Sequence, residues 1–215
     1  MVITWYGQSC FKIQSGDLVI VVDPFSKDIG LTAPRFRADI ALVSHQHPDH
    51  NNLETITGEP FSITTPGEFE VKGAYIHGIE TFHDDKKGKE RGLNTLFLIE
   101  VEGIRILHMG DYGEEVDQES RFLEQAGEVD ILLIPVGGTY TIDGEDAARL
   151  TKDVEPRFVI PMHYKIPGLK VALADNSQFL KEMGVRNSEP QEKFTIKKKD
   201  IGEDEKTSVV VLKVA

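Results

Sequence analysis

The chain has 215 residues, which is enough for one substantial domain and short for two. Its 24 lysines and arginines face 36 aspartates and glutamates, and the net charge of −12 disfavours nucleic-acid and membrane partners because an acidic surface repels phosphate backbones and anionic lipid. The single cysteine, Cys10, excludes an intrachain disulfide, and no apolar run reaches the ~20 residues of a membrane helix, so we expect one cytoplasmic domain spanning residues 1–215.

The first half of the chain has the pattern of short strands separated by turn residues. Strands are predicted for Val2–Tyr6, Cys10–Gln14, Leu18–Val22, Asp39–Ser44, Phe61–Thr64, Tyr75–Glu80, Thr95–Val101 and Ile104–His108. Glu102 and Gly103 predict a hairpin turn between the last two. The segment before Gly7 lacks the basic and then apolar pattern of a signal peptide, so no leader is expected.

Helical patterns begin in the second half of the chain. Helices are predicted for Glu115–Gln125, Asp143–Lys152 and Val171–Met183, and strands for Ile131–Ile134, Arg157–Pro161 and Thr207–Val214. Thr141 or Asp143 is the expected N-cap of the middle helix. Two groups of strands with interspersed helices predict an α/β (α+β) fold with more than one sheet.

The segment HQHPDH at residues 45–50 directly follows the predicted strand Asp39–Ser44. Because alternate residues of an extended chain point the same way, His45 and His47 can address one metal ion. Asp49 and His50 follow the corner at Pro48 and can face a second ion. Clustered ligands of this kind are what two cations ~4 Å apart require. The alternative interpretation is a solvated, histidine-rich turn.

Three further candidate ligands, His83, Asp111 and His163, each lie at or just after the end of a predicted strand. Ligands at several strand ends can converge at one edge of a sheet. Asp111 follows Gly110, which allows a close approach of the backbone, and its carboxylate can bridge two ions. Their joint placement favours a shared metal site.

Two histidines are interpreted differently. His77 lies within a predicted strand and is expected to be a packed or surface residue. His108 shares a strand face with Ile104 and Ile106, which predicts a core position. Because His108 is close to Asp111 in sequence, we expect it to orient that ligand without binding metal itself.

The order of His45, His47, Asp49, His50, His83, Asp111 and His163 resembles the metallo-β-lactamase superfamily. Segments Phe82–Asp85, His108–Asp111, Pro135–Asp143 and Pro161–Tyr164 further resemble its ascorbate-6-phosphate lactonase-like branch. The resemblance implies a four-layer αββα sandwich of two mixed β-sheets, with the metals at one edge. It implies one metal on His45, His47 and His83, another on Asp49, His50 and His163, and Asp111 between them. Asp84, in the same motif as His83, is expected to orient the metal ligands without binding metal itself.

The expected cofactor is a pair of divalent metal ions. Imidazole and carboxylate ligands suit zinc, manganese and iron, with zinc the first choice. Such a pair implies a hydrolase in which a hydroxide held between the ions attacks an ester, lactone or phosphoester. Asp49 is the expected catalytic residue, orienting the hydroxide or moving its proton.

Two residues are candidates for binding a small anionic substrate. Arg91 ends a basic loop that follows His83, and its planar guanidinium suits phosphate or carboxylate. Tyr140 lies between a buried strand and a helix N-terminus, where an anion is favoured. The alternative interpretations are a solvated loop and a plain strand-to-helix turn.

Three other functions compete with this one. They are a phosphodiesterase or nuclease on the same fold, a di-iron redox protein, and a metal-binding protein without catalysis. The net charge of −12 weighs against the nuclease, and His47 occupies a position that is usually acidic in flavodiiron proteins. The sequence leaves the oligomeric state open, including a homo-oligomer.

Overall fold

The computed structural model describes residues 1–116, 121–202 and 206–215, and it contains two stacked β-sheets. The first sheet contains, in order across it, β12 (Phe194–Thr195), β1 (Val2–Gly7), β2 (Cys10–Ser15), β3 (Leu18–Val22), β4 (Ile40–Leu42) and β5 (Phe61–Ile63). The β12, β1, β2 and β3 strands pair antiparallel, and β3, β4 and β5 pair parallel.

The second sheet contains, in order, β13 (Ser208–Val209), β11 (Phe158–Met162), β10 (Ile131–Pro135), β9 (Ile104–His108), β8 (Leu93–Val101), β7 (Ala74–Phe82) and β6 (Gly67–Val71). Its first four strands are parallel and its other neighbours antiparallel. Both sheets are therefore mixed, as predicted.

The apolar faces of the two sheets meet in one core. The strands β4 and β10 are buried along their whole length, which explains why they are continuous apolar runs. Large side chains such as Trp5, Phe11 and Phe97 fill the space between the sheets. This burial fixes the strand ends, and with them the loops that carry polar residues.

Helices cover the second sheet. The α2 helix (Gly144–Val154) packs on β10, and α3 (Ser177–Glu182) packs on α2. Of the two predicted caps, Asp143 caps α2, because its carboxylate accepts from the backbone N–H groups of Glu145 and Asp146 at 2.9 and 3.0 Å. The five-residue helix α1 (Phe122–Ala126) lies against β7.

The outer face of the first sheet is covered by loops and two 3₁₀ turns, Lys27–Ile29 and Leu53–Thr55. Pro24 and Pro34 interrupt the β3–β4 connection, so a long α-helix cannot form there. The sandwich of two mixed sheets is confirmed, and this outer layer is thinner than the helical layer that the resemblance implied.

Several predicted elements are wrong in extent. The helix predicted over Val171–Met183 is only α3, because the backbone of Ala174 accepts from Lys165 at 2.8 Å and donates to Gly137 at 2.9 Å, which ties the preceding segment to loops. Of the predicted helix Glu115–Gln125, residues 117–120 lie outside the described part, and the helical part begins at Phe122. The short strands β6 and β12 were not predicted.

The predicted strand Thr207–Val214 leaves the second sheet after β13 and crosses to the first. Val210 donates its N–H to Val159 of β11 at 2.9 Å, whereas Ala215 donates to Trp5 of β1 at 3.0 Å. The C-terminal segment therefore connects the two sheets. In the described part of the chain, none of the helices has the length and apolar character needed to cross a bilayer.

Candidate metal centre

The candidate ligands lie at one edge of the sandwich, where strands of both sheets end. The β1, β3 and β4 strands of the first sheet run in one direction, as do β7, β9, β10 and β11 of the second. Candidate ligands follow the carboxyl ends of β4, β7, β9 and β11. This common direction explains why residues far apart in sequence converge.

The structure brings all the candidate ligands of the sequence together. Those that are buried are His45, His50, His83, Asp111 and His163. His47 and Asp49 are half-buried at the mouth of the site. The turn that carries them is closed by a hydrogen bond of 3.0 Å from the His50 N–H to the His47 carbonyl.

Three groups of ligand atoms are compact enough to hold a metal ion, with all atoms of a group within 4.8 Å of one another. The groups are His45, His47 and His83; Asp49, His50 and His163; and His45, His50 and Asp111. The first two are the sets that the family resemblance implied. The third shares members with the other sets and includes Asp111.

Asp111 lies at the centre of the cluster. Its Oδ2 atom is 3.3 Å from the Nε2 atoms of His50, His83 and His163, and 3.9 Å from that of His45. Burial opposes its ionisation, but the neighbouring His163 and His50 hold the pKa of Asp111 well below its ordinary value. One carboxylate oxygen thus contacts members of both three-residue sets.

The Nε2 atoms of two imidazoles point into this cluster without a hydrogen-bond partner among the described residues. They are the buried Nε2 atoms of His45 and His50. Burial lowers the pKa of His45 to about 3, so its ring is neutral. Burial alone would lower the pKa of His50, but the carboxylates of Asp111, Asp23 and Asp49 raise it well above the ordinary value. A cation can take the place of that proton, so the donor set fits divalent metal ions.

Asp23 orients two of the histidines and was missed by the sequence analysis. It is fully buried and accepts hydrogen bonds of 2.7 Å from the N–H and hydroxyl groups of Ser44. Because the Ser44 hydroxyl gives its hydrogen to Asp23, it accepts a hydrogen bond from the Nδ1–H group of His45, 2.9 Å away. The Asp23 carboxylate also lies 3.1 Å from His50 Nδ1. Both rings are thereby turned with Nε2 toward the site. An aspartate directly after a buried strand was the available signal.

His108 supports Asp111 through the backbone. Its Nε2 donates to the Ser9 carbonyl at 2.8 Å, and its Nδ1 accepts from the Gly110 N–H at 3.1 Å. Burial lowers the pKa of His108, which fits a neutral ring in this arrangement. His108 therefore packs against the turn that carries Asp111 and contacts it through the Gly110 N–H. His77 lies half-buried on β7 and belongs to none of the ligand groups in the described residues.

The turn at Asp111 requires glycine at the preceding position. Gly110 has a φ angle of 53°, and a Cβ atom there would lie 2.3 Å from Asn94 Oδ1. That same Asn94 oxygen accepts from the Asp111 N–H at 3.0 Å. The close approach of backbone and side chain fixes the position of the carboxylate.

Asp84 acts on a loop rather than on the histidines, which corrects the expectation drawn from the motif. Its carboxylate accepts four backbone hydrogen bonds of 2.7 to 3.0 Å, from residues 86, 88, 90 and 91. These bonds fold the basic loop back over the site. Burial opposes ionisation of Asp84, but the backbone donors lower its pKa.

This loop brings Arg91 onto Tyr140. The guanidinium carbon lies 4.6 Å from the centre of the phenol ring, in a cation–π contact. Both side chains line a cavity of about 200 Å³ that also exposes His47, Asp49, His83, Asp111, His163 and Val171. The two residues singled out as anion binders therefore share a cavity with the candidate ligands.

Comparison with known proteins identifies the family. A model of the β-lactamase superfamily domain matches residues 2–163. A UPF0173 metal-dependent hydrolase of Thermococcus onnurineus is 30% identical over 210 residues, covering 85% of this chain and 92% of the relative. Another, from Natranaerobius thermophilus, is 27% identical over 206 residues, covering 85% of this chain and 91% of the relative.

A solved structure agrees with these relatives. A proposed Zn-dependent hydrolase of the metallo-β-lactamase superfamily from Thermotoga maritima is 34% identical to this chain, with a TM-score of 0.79. The match covers 99% of both chains. The resemblance to the superfamily is confirmed. The chain belongs to the metallo-β-lactamase superfamily and is one of its metal-dependent hydrolases.

Proposed function

We propose that this hydrolase cleaves an ester, lactone or phosphoester bond of a small anionic metabolite at a centre of two metal ions. The observation that carries the proposal is the position of Asp111, whose Oδ2 contacts His83 of one three-residue set and both His50 and His163 of the other at 3.3 Å. A single carboxylate between two sets of ligands is the arrangement that a bridged pair of ions requires.

The ligands divide between the two ions as the groups do. His45, His47 and His83 would hold the first ion, and Asp49, His50 and His163 the second. Asp111, which contacts members of both sets, would be available to both ions. Imidazole-rich sets with carboxylates favour zinc, followed by manganese or iron. When bound, such ions would polarise the scissile group and lower the pKa of a water molecule toward neutrality.

Asp49 is the proposed catalytic residue of the chain. Its side chain is 24% exposed, and it lines the cavity beside the ligands. Burial raises its pKa, but His50 and Gln8 outweigh this effect and keep the pKa well below the ordinary value. Asp49 is therefore a carboxylate at neutral pH, able to accept a hydrogen bond from the attacking water and orient it.

Arg91 and Tyr140 are the proposed substrate contacts. A guanidinium can bind a phosphate or carboxylate through two parallel hydrogen bonds, and Tyr140 offers a hydroxyl beside it. A cavity of about 200 Å³ fits a small metabolite. A single arginine at the cavity on a chain of net charge −12 suits one anionic group rather than a polyanion.

Metal content per chain tests the function. Protein purified without chelator or added metal is expected to contain about two zinc or manganese ions per chain by elemental analysis, because the donor set is complete. It is then screened against phosphodiesters, lactones and sugar phosphates. Two irons would favour the redox function instead. Near-zero metal that cannot be restored by addition would overturn the proposal.

Arg91→Met is expected to raise KM for an anionic substrate about 10- to 100-fold with little change in kcat, because a charge-assisted hydrogen bond to the substrate contributes roughly 1.5–3 kcal/mol. Lys89→Met, on the exposed part of the same loop, is the matched control and should leave KM unchanged. Steady-state kinetics of both variants make the comparison. An unchanged KM in the Arg91 variant would remove Arg91 from substrate binding.

A further inference from the structure

Gln8 belongs to no ligand motif of the sequence, yet its side chain contacts two of the candidate ligands. It follows β1, is fully buried and has a φ angle of 51°, in the left-handed region that side-chain-bearing residues seldom adopt. Its carbonyl accepts hydrogen bonds from Trp5 Nε1 at 2.9 Å and from the His163 N–H at 3.1 Å. These main-chain contacts hold Gln8 against the turn that carries His163.

The side-chain amide of Gln8 joins two candidate ligands. Its Nε2 atom lies 3.1 Å from Asp49 Oδ2 and 3.1 Å from His163 Nε2. The opposite orientation would bring the amide oxygen against the carboxylate, so the N–H groups must face these two atoms. One N–H donates to Asp49 Oδ2, which keeps a lone pair for a cation. The other lies near His163 Nε2, the atom that would bind metal, and would give way to an ion there.

Stability alone does not explain this placement. The amide oxygen Oε1 is buried and has no hydrogen-bond partner among the residues that the structure describes. A buried acceptor without a partner destabilises the folded state, as does the left-handed backbone. Strained and unsatisfied groups cluster at functional sites, where the surrounding structure holds them in place.

The two ligands that Gln8 joins come from different sheets. Asp49 follows β4 of the first sheet, and His163 follows β11 of the second. Both belong to the group of Asp49, His50 and His163. The hydrogen bonds found for Gln8 in the described structure reach no member of the group of His45, His47 and His83.

We infer that Gln8 is a positioning residue for the second metal ion. Its amide donates a hydrogen bond to the Asp49 carboxylate, and its backbone carbonyl accepts from the His163 N–H, so Gln8 ties together two residues that would share one ion. The inference rests on the proposed function, since it concerns the second of the two proposed ions. Loss of a hydrogen-bonding partner behind metal ligands typically lowers metal affinity 10- to 100-fold.

Gln8→Met tests the inference, because methionine has a similar length and donates no hydrogen bond. Metal-free protein is titrated with Zn²⁺ against a chromophoric chelator, which resolves two binding steps. The variant is expected to lose about 10- to 100-fold in affinity for the second equivalent, while the first changes less than about threefold. Gln14→Met, at an exposed glutamine of β2, is the matched control and should bind as the wild type does.

The possible results separate the two proposals. Wild-type protein that binds fewer than two ions contradicts the proposed function. If the wild type binds two ions and Gln8→Met binds both with unchanged affinity, the role of Gln8 is overturned while the proposed function stands. An equal loss of affinity at both binding steps also overturns the role of Gln8. Fluorescence of Trp5, the single tryptophan, and thermal unfolding report whether the variant folds; if it does not, Gln8→Ala carries the same test.

Discussion

Asp111→Asn is expected to remove at least one of the two metal ions and to lower hydrolysis about a thousandfold or more, as loss of a group that holds both ions should. Asparagine has nearly the same shape, so packing at this buried position is preserved. Its neutral amide cannot offset the charge of two cations, and it would face the histidines His50, His83 and His163 now 3.3 Å from the Asp111 carboxylate oxygen.

Elemental analysis and kcat/KM of the Asp111→Asn protein, measured side by side, make this check. Asp153→Asn, at an exposed position of α2, is the matched control and should retain both metal and activity. Two ions bound to Asp111→Asn at wild-type affinity would show that the carboxylate does not bridge them.

Asp49→Ala is expected to lower turnover by at least about a hundredfold while leaving the fold intact. Its side chain is 24% exposed at the cavity, so its removal leaves no void in the core. Its carboxylate has a pKa kept low by His50 and Gln8 and is the proposed acceptor for the attacking water. We expect the thermal midpoint of the metal-free protein to shift only slightly, whereas kcat falls by about 10²–10⁴, the usual contribution of a general acid–base group.

Single-turnover kinetics together with thermal unfolding separate these two effects. Asp49→Asn keeps the shape of the side chain and should be as inactive as the alanine variant if the charge matters. Full activity in either variant would exclude Asp49 from catalysis, and a large loss of stability in the metal-free protein would assign it a structural role instead.

The sequence points to the candidate ligands that the structure brings together because each obeys a local rule. The HQHPDH segment places four potential ligands in one turn, and His83, Asp111 and His163 each follow a strand. Strands that run in the same direction end at the same edge, so strand ends alone predict convergence. Near those ends the pattern of apolar residues was strong, and the strands were largely correct.

The supporting residues could not be predicted in the same way. Asp23 and Gln8 act through contacts with residues far away in sequence, such as Ser44 and His163. In the sequence, Asp23 marks only the end of a strand, and Gln8 lies in an ordinary turn after Gly7. Asp84 was expected to support ligands, but its neighbours in the loop supply four backbone donors, which a motif does not reveal.

The predicted lengths of helices and strands were wrong where tertiary contacts override the local preference for secondary structure. The residues before α3 have helical spacing, but the backbone of Ala174 is bonded to Gly137 and Lys165. The β6 strand was missed because it is a half-exposed edge strand with glutamates at alternate positions. Hydrogen bonds with β7 hold β6 in the sheet, although the β6 sequence alone does not indicate a strand.

The two sheets share the ligands of each proposed ion. His45 and His47 follow the first sheet, and His83 follows the second; Asp49 and His50 follow the first, and His163 the second. Each ion would therefore act as a covalent-like cross-link between the halves of the sandwich, in a chain whose single cysteine cannot form one. Loading with metal would then couple the unfolding of the two sheets, and chelation would release one half from the other.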